Sequence, residues 1–173
     1  MQVVETRGTR VEQQDAFDAL FFGHAARMVR LARLLGDDDP EDVVQESFCK
    51  LYAARGRLRA EDAEVVSYLN KIVVNEVRGR QRRRQVARRD AHLLTTVNMG
   101  DMADPTAVHD DRQAVVEALA GVSARQREAL VLRFFEDMSV DETARAMGCA
   151  AGTVKATVHQ ALRSLRKRLQ KWI

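Results

Sequence analysis

The sequence predicts an all-α protein, with two small helical domains joined by a flexible linker and a helix-turn-helix in the C-terminal domain. The chain has 173 residues, of which 46% are hydrophobic and only two are proline. Apolar residues recur at three- and four-residue steps, and no long run alternates with the period of two that is typical of strands. Periodicity fades over residues 91–112, where Gly100 and Pro105 occur, and this segment is the predicted linker.

Composition argues against several classes of protein. Cys49 and Cys149 form no CxxC pair, and no histidine lies at a ligand spacing, so we expect no zinc site, disulfide framework or cofactor. The four histidines are scattered, with no supporting nucleophile or base, so we do not expect an enzyme. The N-terminus lacks a signal-peptide core and no apolar run approaches a membrane span, which predicts a cytoplasmic protein without membrane insertion.

The N-terminal domain is expected over residues 15–90. Residues before Asp15 are polar and aperiodic, as is typical of a loose terminus. From Asp15 the apolar positions keep helical steps as far as Leu35, and Gly36 follows where a C-terminal glycine belongs. The pattern therefore predicts a first helix that ends at this glycine.

A second helix is expected to begin at Asp39 and Pro40. Asp39 suits the N-cap position and Pro40 suits the first turn. The apolar side is predicted to comprise Val43, Val44, Phe48, Leu51 and Tyr52, and the outward side Asp42, Gln45, Glu46 and Lys50. The acidic patch on this outward side indicates either a protein partner or ordinary helix capping.

A third helix is predicted over residues 65–90, after a charged connection at 54–64. Between residues 78 and 89 there are seven arginines and no acid: Arg78, Arg80, Arg82, Arg83, Arg84, Arg88 and Arg89. Such a surface suits a nucleic-acid backbone, with Lys71 beside it and with Asn75 and Tyr68 able to contact or stack on bases. The alternative is a solvated, arginine-rich helix end that the helix dipole favours.

The C-terminal domain is expected over residues 113–173. Ser123 is predicted to cap its second helix. The residues expected to pack that helix against the helix-turn-helix are Leu130, Val131, Phe134 and Phe135.

The helix-turn-helix is predicted from residues 138–165. Val140, Ala144 and Met147 share one face of a short helix, and Gly148 follows where the turn requires a left-handed φ. The second helix is expected to bury Val154, Val158, Leu162 and Leu165. Polar residues outside this stripe suit contacts with base edges and phosphates in a major groove: Lys155, Thr157, His159 and Gln160. A plain helical hairpin with a solvated face is the alternative.

In this order, the motifs resemble the extracytoplasmic-function sigma factors of bacterial RNA polymerase, which belong to the sigma-70 family. The resemblance covers nearly the whole chain. Its motifs are PEDVVQESFCKLY at 40–52, SYLNKIVVNEVRGRQRRR at 67–84 and the segment from Ser123 to Leu169. Together they imply an alternative sigma factor that binds core polymerase, recognises the −35 and −10 promoter elements and promotes DNA melting.

The resemblance implies three sets of site residues. Docking on the clamp of the largest polymerase subunit is expected from Asp42, Gln45, Glu46 and Phe48. Single-stranded −10 DNA is expected to contact Tyr68, Lys71, Asn75, Arg78, Arg80, Arg82 and Arg83. Duplex −35 DNA is expected to contact Thr153, Lys155, Thr157, His159, Gln160 and Arg163.

The sequence departs from the family pattern at several of these positions. The family commonly has Trp at Tyr68, an apolar residue and an acid at Arg78 and Gly79, and Ser-Arg at Ala156 and Thr157. These changes predict an unusual promoter preference.

The resemblance also implies the polymerase flap and an anti-sigma factor as protein partners. The competing function is a stand-alone helix-turn-helix transcriptional regulator that binds duplex operator DNA without polymerase.

Overall fold

Seven α-helices form the described part of the chain. The computed structural model describes the backbone of residues 5–54, 62–94 and 111–169, and the side chains of residues 17–54, 64–89 and 114–167. No strand occurs in the described backbone, which confirms the all-α class. The helices are α1 (Glu5–Leu34), α2 (Pro40–Ala54), α3 (Asp62–Leu94), α4 (Asp111–Ala120), α5 (Ala124–Leu130), α6 (Val140–Met147) and α7 (Ala151–Leu169). A π-helical turn, Val131–Phe135, continues directly from α5.

Helices α1, α2 and α3 pack together as an N-terminal bundle. Its buried side chains include Met28, Leu31, Val43, Leu51, Leu69 and Val73. The backbone N–H of Asp42 donates to Oδ1 of Asp39 at 3.2 Å, so the predicted cap of α2 is confirmed. This cap and the acidic first turn stabilise the end of α2 that faces the loop after α1.

Two helices of this bundle are longer than the sequence pattern predicts. α1 begins at Glu5 rather than near Asp15, because residues 5–14 contain no proline and are rich in good helix formers. α3 continues through Ala91 to Leu94, into the expected linker. Most of the charged connection predicted at 54–64 lies outside the described residues, which omit 55–61, and so does most of the predicted linker, at 95–110.

The remaining helices form a C-terminal bundle. Ser123 caps α5 as expected: its hydroxyl accepts from the backbone of Gln126 at 3.3 Å. Gly148 ends α6 with φ of 63°, the left-handed conformation that the helix-turn-helix requires. A second capping box, which we did not expect, joins Ser139 and Glu142 at the start of α6.

Three predicted core residues lie at the surface instead. Phe134 and Phe135 are 56% and 48% exposed, because the π-helical turn alters the register of the helix and Leu132 takes the buried position. Leu162 is also exposed, whereas Ala161 is fully buried. The observed stripe on α7, with steps of four, three and four residues, follows a helical period more closely: Val154, Val158, Ala161 and Leu165.

The two bundles pack directly against each other. α3 contacts α6, while α1 contacts α4 and the π-helical turn. Buried residues from both bundles form one continuous apolar cluster. The sequence pattern predicted two domains joined by a linker, and it gave no indication of this contact.

Candidate nucleic-acid interface

One face of α3 is exposed and carries four of the predicted DNA-contacting residues. Lys71, Asn75 and Arg82 are exposed, and Tyr68 is 38% exposed. Their spacings of three, four and seven residues place them on one side of the helix. The opposite side of α3 is apolar and buried, with Leu69, Val73 and Val77 in the core. An aromatic ring, an amide and two cations therefore share a surface on which unpaired bases can stack and phosphates can bind.

Arg80 lies on a different side of α3, facing α2. Its side chain is only 13% exposed; it donates a hydrogen bond to Asp42 and lies 3.3 Å from Glu46 Oε1. The hydrogen bond to Asp42 and the attraction of both carboxylates raise the pKa of the guanidinium despite its burial. Arg80 thus contacts two predicted polymerase-binding residues rather than the exposed face of α3.

Arg78 is engaged by the C-terminal bundle. Its Nε donates to Glu128 Oε2 at 3.0 Å, and its Nη2 donates to the Met147 carbonyl at 2.9 Å. Glu128 is only 5% exposed. Of the seven residues predicted at the −10 face, Arg78 and Arg80 therefore form partly buried ion pairs, while Arg83 is exposed beside the shared face.

Three of the four residues predicted to bind polymerase lie on the outward side of α2. Gln45 and Glu46 are exposed and Asp42 is half-buried. Phe48 is only 3% exposed and packs edge-on against Phe17 and Phe21, so it supports α2 from inside instead of presenting a surface.

Beside this surface, the Lys50 ammonium pairs with Glu76 of α3. Burial opposes the charge of Glu76, but the hydrogen bond from Lys50 and the attraction of Arg83 keep its pKa below the usual value. Ion pairs therefore join α2 to α3 at the acidic patch itself, through Arg80, and about one turn further along α2, through Lys50.

The predicted duplex-reading residues on α7 form a broad polar face. Thr153, Lys155, His159, Gln160 and Arg163 are exposed, and Thr157 is half-buried with its hydroxyl donating to the Thr153 carbonyl at 2.7 Å. Val154 and Ala161 on the opposite side are fully buried. α6 holds the start of α7 through the glycine turn, so the polar face is presented by a supported helix.

Two family models match the segments that carry these faces. Sigma-70 region 2 matches residues 20–86, and Sigma-70 region 4 matches residues 112–165. The RNA polymerase sigma-E factor of Streptomyces coelicolor is 35% identical over 146 residues, which is 82% of this chain and 79% of the relative. The ECF RNA polymerase sigma factor SigM of Mycobacterium tuberculosis is also 35% identical, over 89% of this chain and 77% of the relative.

The chain belongs to the extracytoplasmic-function sigma factors. The predicted resemblance is therefore confirmed, and this sigma factor acts in transcription initiation. The curated relatives do not support the alternative of a stand-alone regulator.

Solved structures share the fold of this sigma factor. The sigma factor RpoE from Bartonella quintana, in complex with the anti-sigma factor NepR, has a TM-score of 0.71 and 24% identity over 90% of this chain and 97% of its own. CnrH in complex with the cytosolic domain of CnrY has a TM-score of 0.66 and 24% identity, over 91% of this chain and 90% of its own. Both likenesses concern the arrangement of helices.

Several interacting residues were missed by the sequence analysis. Ser139 and Glu142 satisfy the S-x-x-E pattern of a capping box, which was available in the sequence. Arg27, Glu128 and Arg127 carry no local signal for their contacts with the other bundle, because those partners lie 50 to 109 residues away along the chain. Long-range pairs of this kind become visible only when the two bundles are placed together.

An open cleft of about 530 Å³ lies between α3 and α5, and its lining includes Arg78, Arg82, Arg88 and Arg127.

Among the described residues, no group of three or more His, Cys, Asp or Glu side chains is placed to hold a metal ion. None of the helices within those residues has the length and apolar character needed to cross a membrane.

Proposed function

We propose that this sigma factor binds core RNA polymerase and reads two promoter elements with its two bundles. Residues 15–90 form the domain for core and −10 binding, residues 113–173 form the −35-binding domain, and residues 91–112 link them. The observation that carries this proposal is the presence of two separate exposed faces, on α3 and α7, within the segments that match regions 2 and 4. No catalytic residue or cofactor is needed, because polymerase performs the chemistry.

The α3 face is proposed to bind the −10 element as single-stranded DNA. Tyr68 offers a ring for base stacking, Asn75 offers both donor and acceptor groups, and Lys71 and Arg82 neutralise phosphates. Stacking contributes about 1–3 kcal/mol per base, which offsets part of the cost of separating the strands. DNA melting then follows from preferential binding of the unpaired strand.

The α7 face is proposed to enter the major groove of the −35 element. A recognition helix reads bases mainly through residues near its N-terminus, where Thr153, Lys155 and Thr157 lie. His159, Gln160 and Arg163 continue the polar face toward the flanking phosphates. Because Thr157 stands where the family commonly has arginine, we expect a −35 preference that depends less on guanidinium contacts at that position.

The acidic patch on α2 is proposed to dock on the clamp of the largest polymerase subunit. Asp42 and Glu46 are both held by Arg80, which fixes their positions and leaves each carboxylate about half exposed. Gln45 lies between them on the outward side of the helix. A preorganised acidic surface loses less side-chain entropy on binding than two free carboxylates.

We also propose an anti-sigma factor as a regulatory partner and the cytoplasm as the site of action. Two proteins of the same fold were solved in complexes: the sigma factor RpoE with the anti-sigma factor NepR, and CnrH with the cytosolic domain of CnrY. The exposed rings of Phe134 and Phe135 add an apolar component to the charged surfaces that a protein partner, including the polymerase flap, would cover.

A binding experiment tests the proposed division of roles. The purified protein is mixed with bacterial core polymerase, and binding of matched duplex and melted promoter fragments is measured with and without core. We expect tight promoter binding only with core, and a preference for fragments in which the non-template −10 strand is unpaired. Tight binding to a symmetric duplex without core would overturn the proposal and favour a stand-alone regulator.

A further inference from the structure

We infer that the cleft between α3 and α5 is a binding site for a compact polyphosphate anion, such as inorganic triphosphate or the phosphate chain of a nucleotide. The cleft has a volume of about 530 Å³. This volume lies within the range of roughly 300–1,000 Å³ that is typical of small-molecule sites. The described residues that line it include five arginines and one acid, so an anion is the ligand that suits its charge.

The acid in the lining is already neutralised. The Asp38 side chain is 83% exposed, and its Oδ2 lies 2.8 Å from Nη1 of Arg84, which also lies 3.2 Å from the buried Asp37. Arg78 is likewise paired, because its guanidinium donates to Glu128. These two arginines therefore have their countercharges within the protein.

The other three arginines of the lining have no such countercharge. Arg82, Arg88 and Arg127 form no ion pair with an acid in the described part of the chain. Arg82 and Arg88 are exposed, about 9 Å apart along the axis of α3, with the exposed amide of Gln85 between them. A chain of phosphates carries several charged oxygens, so it can bind both guanidiniums and the amide at once.

Arg127 supplies a cation from the α5 side of the cleft. Its Nε, Nη1 and Nη2 donate to the carbonyls of Leu119, Leu35 and Ala120, at 2.9, 3.2 and 3.3 Å. A guanidinium has five N–H groups, so these carbonyls use three of them and leave two for a ligand. Burial lowers the pKa of Arg127, because water no longer surrounds its charge. An anion in the cleft would offset this loss of hydration.

The position of the Arg127 guanidinium is fixed by its surroundings. A Cβ atom at Gly36 would lie 1.8 Å from Nη1 of Arg127, so the glycine leaves the space that the guanidinium occupies. Gln81 of α3 donates to the same Leu35 carbonyl at 2.9 Å, which holds that carbonyl between the two side chains. A preorganised cation loses less side-chain entropy when a ligand binds.

The cleft favours a compact anion over a nucleic-acid backbone. A nucleic-acid strand carries one negative charge per nucleotide, whereas a polyphosphate carries its charges on adjoining phosphates. Three guanidiniums without a carboxylate line a single cavity, and they come from two helices. Closely spaced charges on the ligand therefore match closely spaced cations on the protein.

Arg82 belongs both to this cleft and to the proposed −10 face. A bound polyphosphate would occupy its guanidinium, so single-stranded DNA would compete with the ligand for this residue. The competition rests on the proposed function, but binding of the anion does not. Binding is therefore tested without polymerase or a promoter.

The test measures binding of inorganic triphosphate to the full chain by isothermal titration calorimetry, without Mg²⁺. At about 0.15 M salt the Debye length is about 8 Å, so diffuse attraction between the protein and the anion is largely screened. Arg82→Gln/Arg88→Gln removes two cations of the cleft. Arg83→Gln/Arg89→Gln is the matched control, because it removes the same charge from exposed positions of the same helix that lie outside the lining.

We expect one triphosphate to bind per chain, and the cleft pair to raise its dissociation constant about tenfold or more through the loss of charge-assisted hydrogen bonds. The control pair should change this constant by less than about threefold. No binding to the parent protein, or equal losses in the two pairs, would overturn the inference.

Thermal unfolding without ligand checks that all the proteins are folded. The melting temperature of the parent should rise with triphosphate, because the ligand binds the folded state. If the cleft pair fails to fold, Arg88→Gln and Arg89→Gln provide the same comparison with single substitutions.

Two further titrations identify the source of the phosphates. Adenosine triphosphate that binds more tightly than inorganic triphosphate would assign the site to nucleotides, and equal or weaker binding would assign it to the phosphate chain alone; both outcomes support the inference. The second probe is a short random-sequence single-stranded DNA. If the cleft pair weakens binding of this DNA more than binding of triphosphate, the cleft serves a nucleic-acid backbone and the inference fails. Such a failure would leave the proposed function standing.

Discussion

Arg80 of α3 donates a hydrogen bond to Asp42 of α2, which joins a predicted DNA-binding residue to a predicted polymerase-binding residue. The Arg80 side chain is largely sheltered, with only 13% exposed, whereas the Asp42 carboxylate is about half exposed. The seven arginines between residues 78 and 89 therefore have different roles. Some form ion pairs that hold α3 against its neighbouring helices, and others are exposed and available to bind phosphates.

Substitution of Arg80 tests this division. We expect Arg80→Gln to lower the free energy of unfolding by about 1–3 kcal/mol, because the half-exposed carboxylates of Asp42 and Glu46 both lose the cation that pairs with them. Urea unfolding measures the loss. Arg83→Gln is the matched control on the exposed side of α3, with an expected change within about 0.5 kcal/mol. Equal stability of the two variants would contradict a structural role for Arg80.

The capping box of α6 makes a second stability prediction. Ser139→Ala removes the hydroxyl that accepts from the Glu142 backbone, and we expect a loss of about 1 kcal/mol. Ser164→Ala is the control, because that exposed hydroxyl only donates to the Gln160 carbonyl within α7. Thermal unfolding of both variants measures the two losses of stability. A Ser139→Ala protein as stable as the control would show that α6 does not depend on its cap.

The same capping box predicts a dependence on pH. Hydrogen bonds from the Ser139 side chain and backbone lower the pKa of Glu142 below its ordinary value of 4.5. A lowered folded-state pKa stabilises the fold above the unfolded value, and the contribution disappears as pH falls through the folded value. Glu142→Gln should therefore be less stable than the parent at pH 7, and this difference should shrink as the pH falls below 4.5. A difference independent of pH would contradict the ionised cap.

Two lysines should separate the proposed promoter contacts. Lys155→Ala should weaken binding of the holoenzyme to the −35 duplex and reduce the slope of log affinity against log salt by about one. Lys71→Ala should leave that duplex unaffected and weaken binding of the single-stranded −10 element. Both side chains are exposed, so we expect neither substitution to change stability appreciably. Parallel losses on both DNA targets would contradict the assignment of one face to each element.

Local features of the fold were predicted well from the sequence. The caps at Asp39 and Ser123 and the left-handed Gly148 follow from residue types with strong conformational preferences. Ser139 was missed although its pattern is equally local. The prediction that Phe134, Phe135 and Leu162 are buried was wrong. A π-helical turn and one small buried residue, Ala161, changed the helical register that hydrophobicity alone suggested.

The sequence predicted which residues belong to the candidate site, but not which side chains pair with one another in it. Helical spacing places Tyr68, Lys71, Asn75 and Arg82 on one face, and the structure has them exposed there. The separate functions of Arg78 and Arg80 depend on Glu128 and Asp42, which lie 50 and 38 residues away along the chain. Such pairing is decided by tertiary packing, which periodicity does not encode.

In vitro transcription tests the central claim most directly. Bacterial core polymerase lacking any other sigma factor is supplied with this protein and fragmented DNA from its host, and transcript start sites are mapped. We predict new start sites that require the protein, with two shared upstream elements, and their loss when Tyr68→Ala and Lys155→Ala are combined. The absence of protein-dependent transcripts, together with duplex binding by the protein alone, would contradict the account.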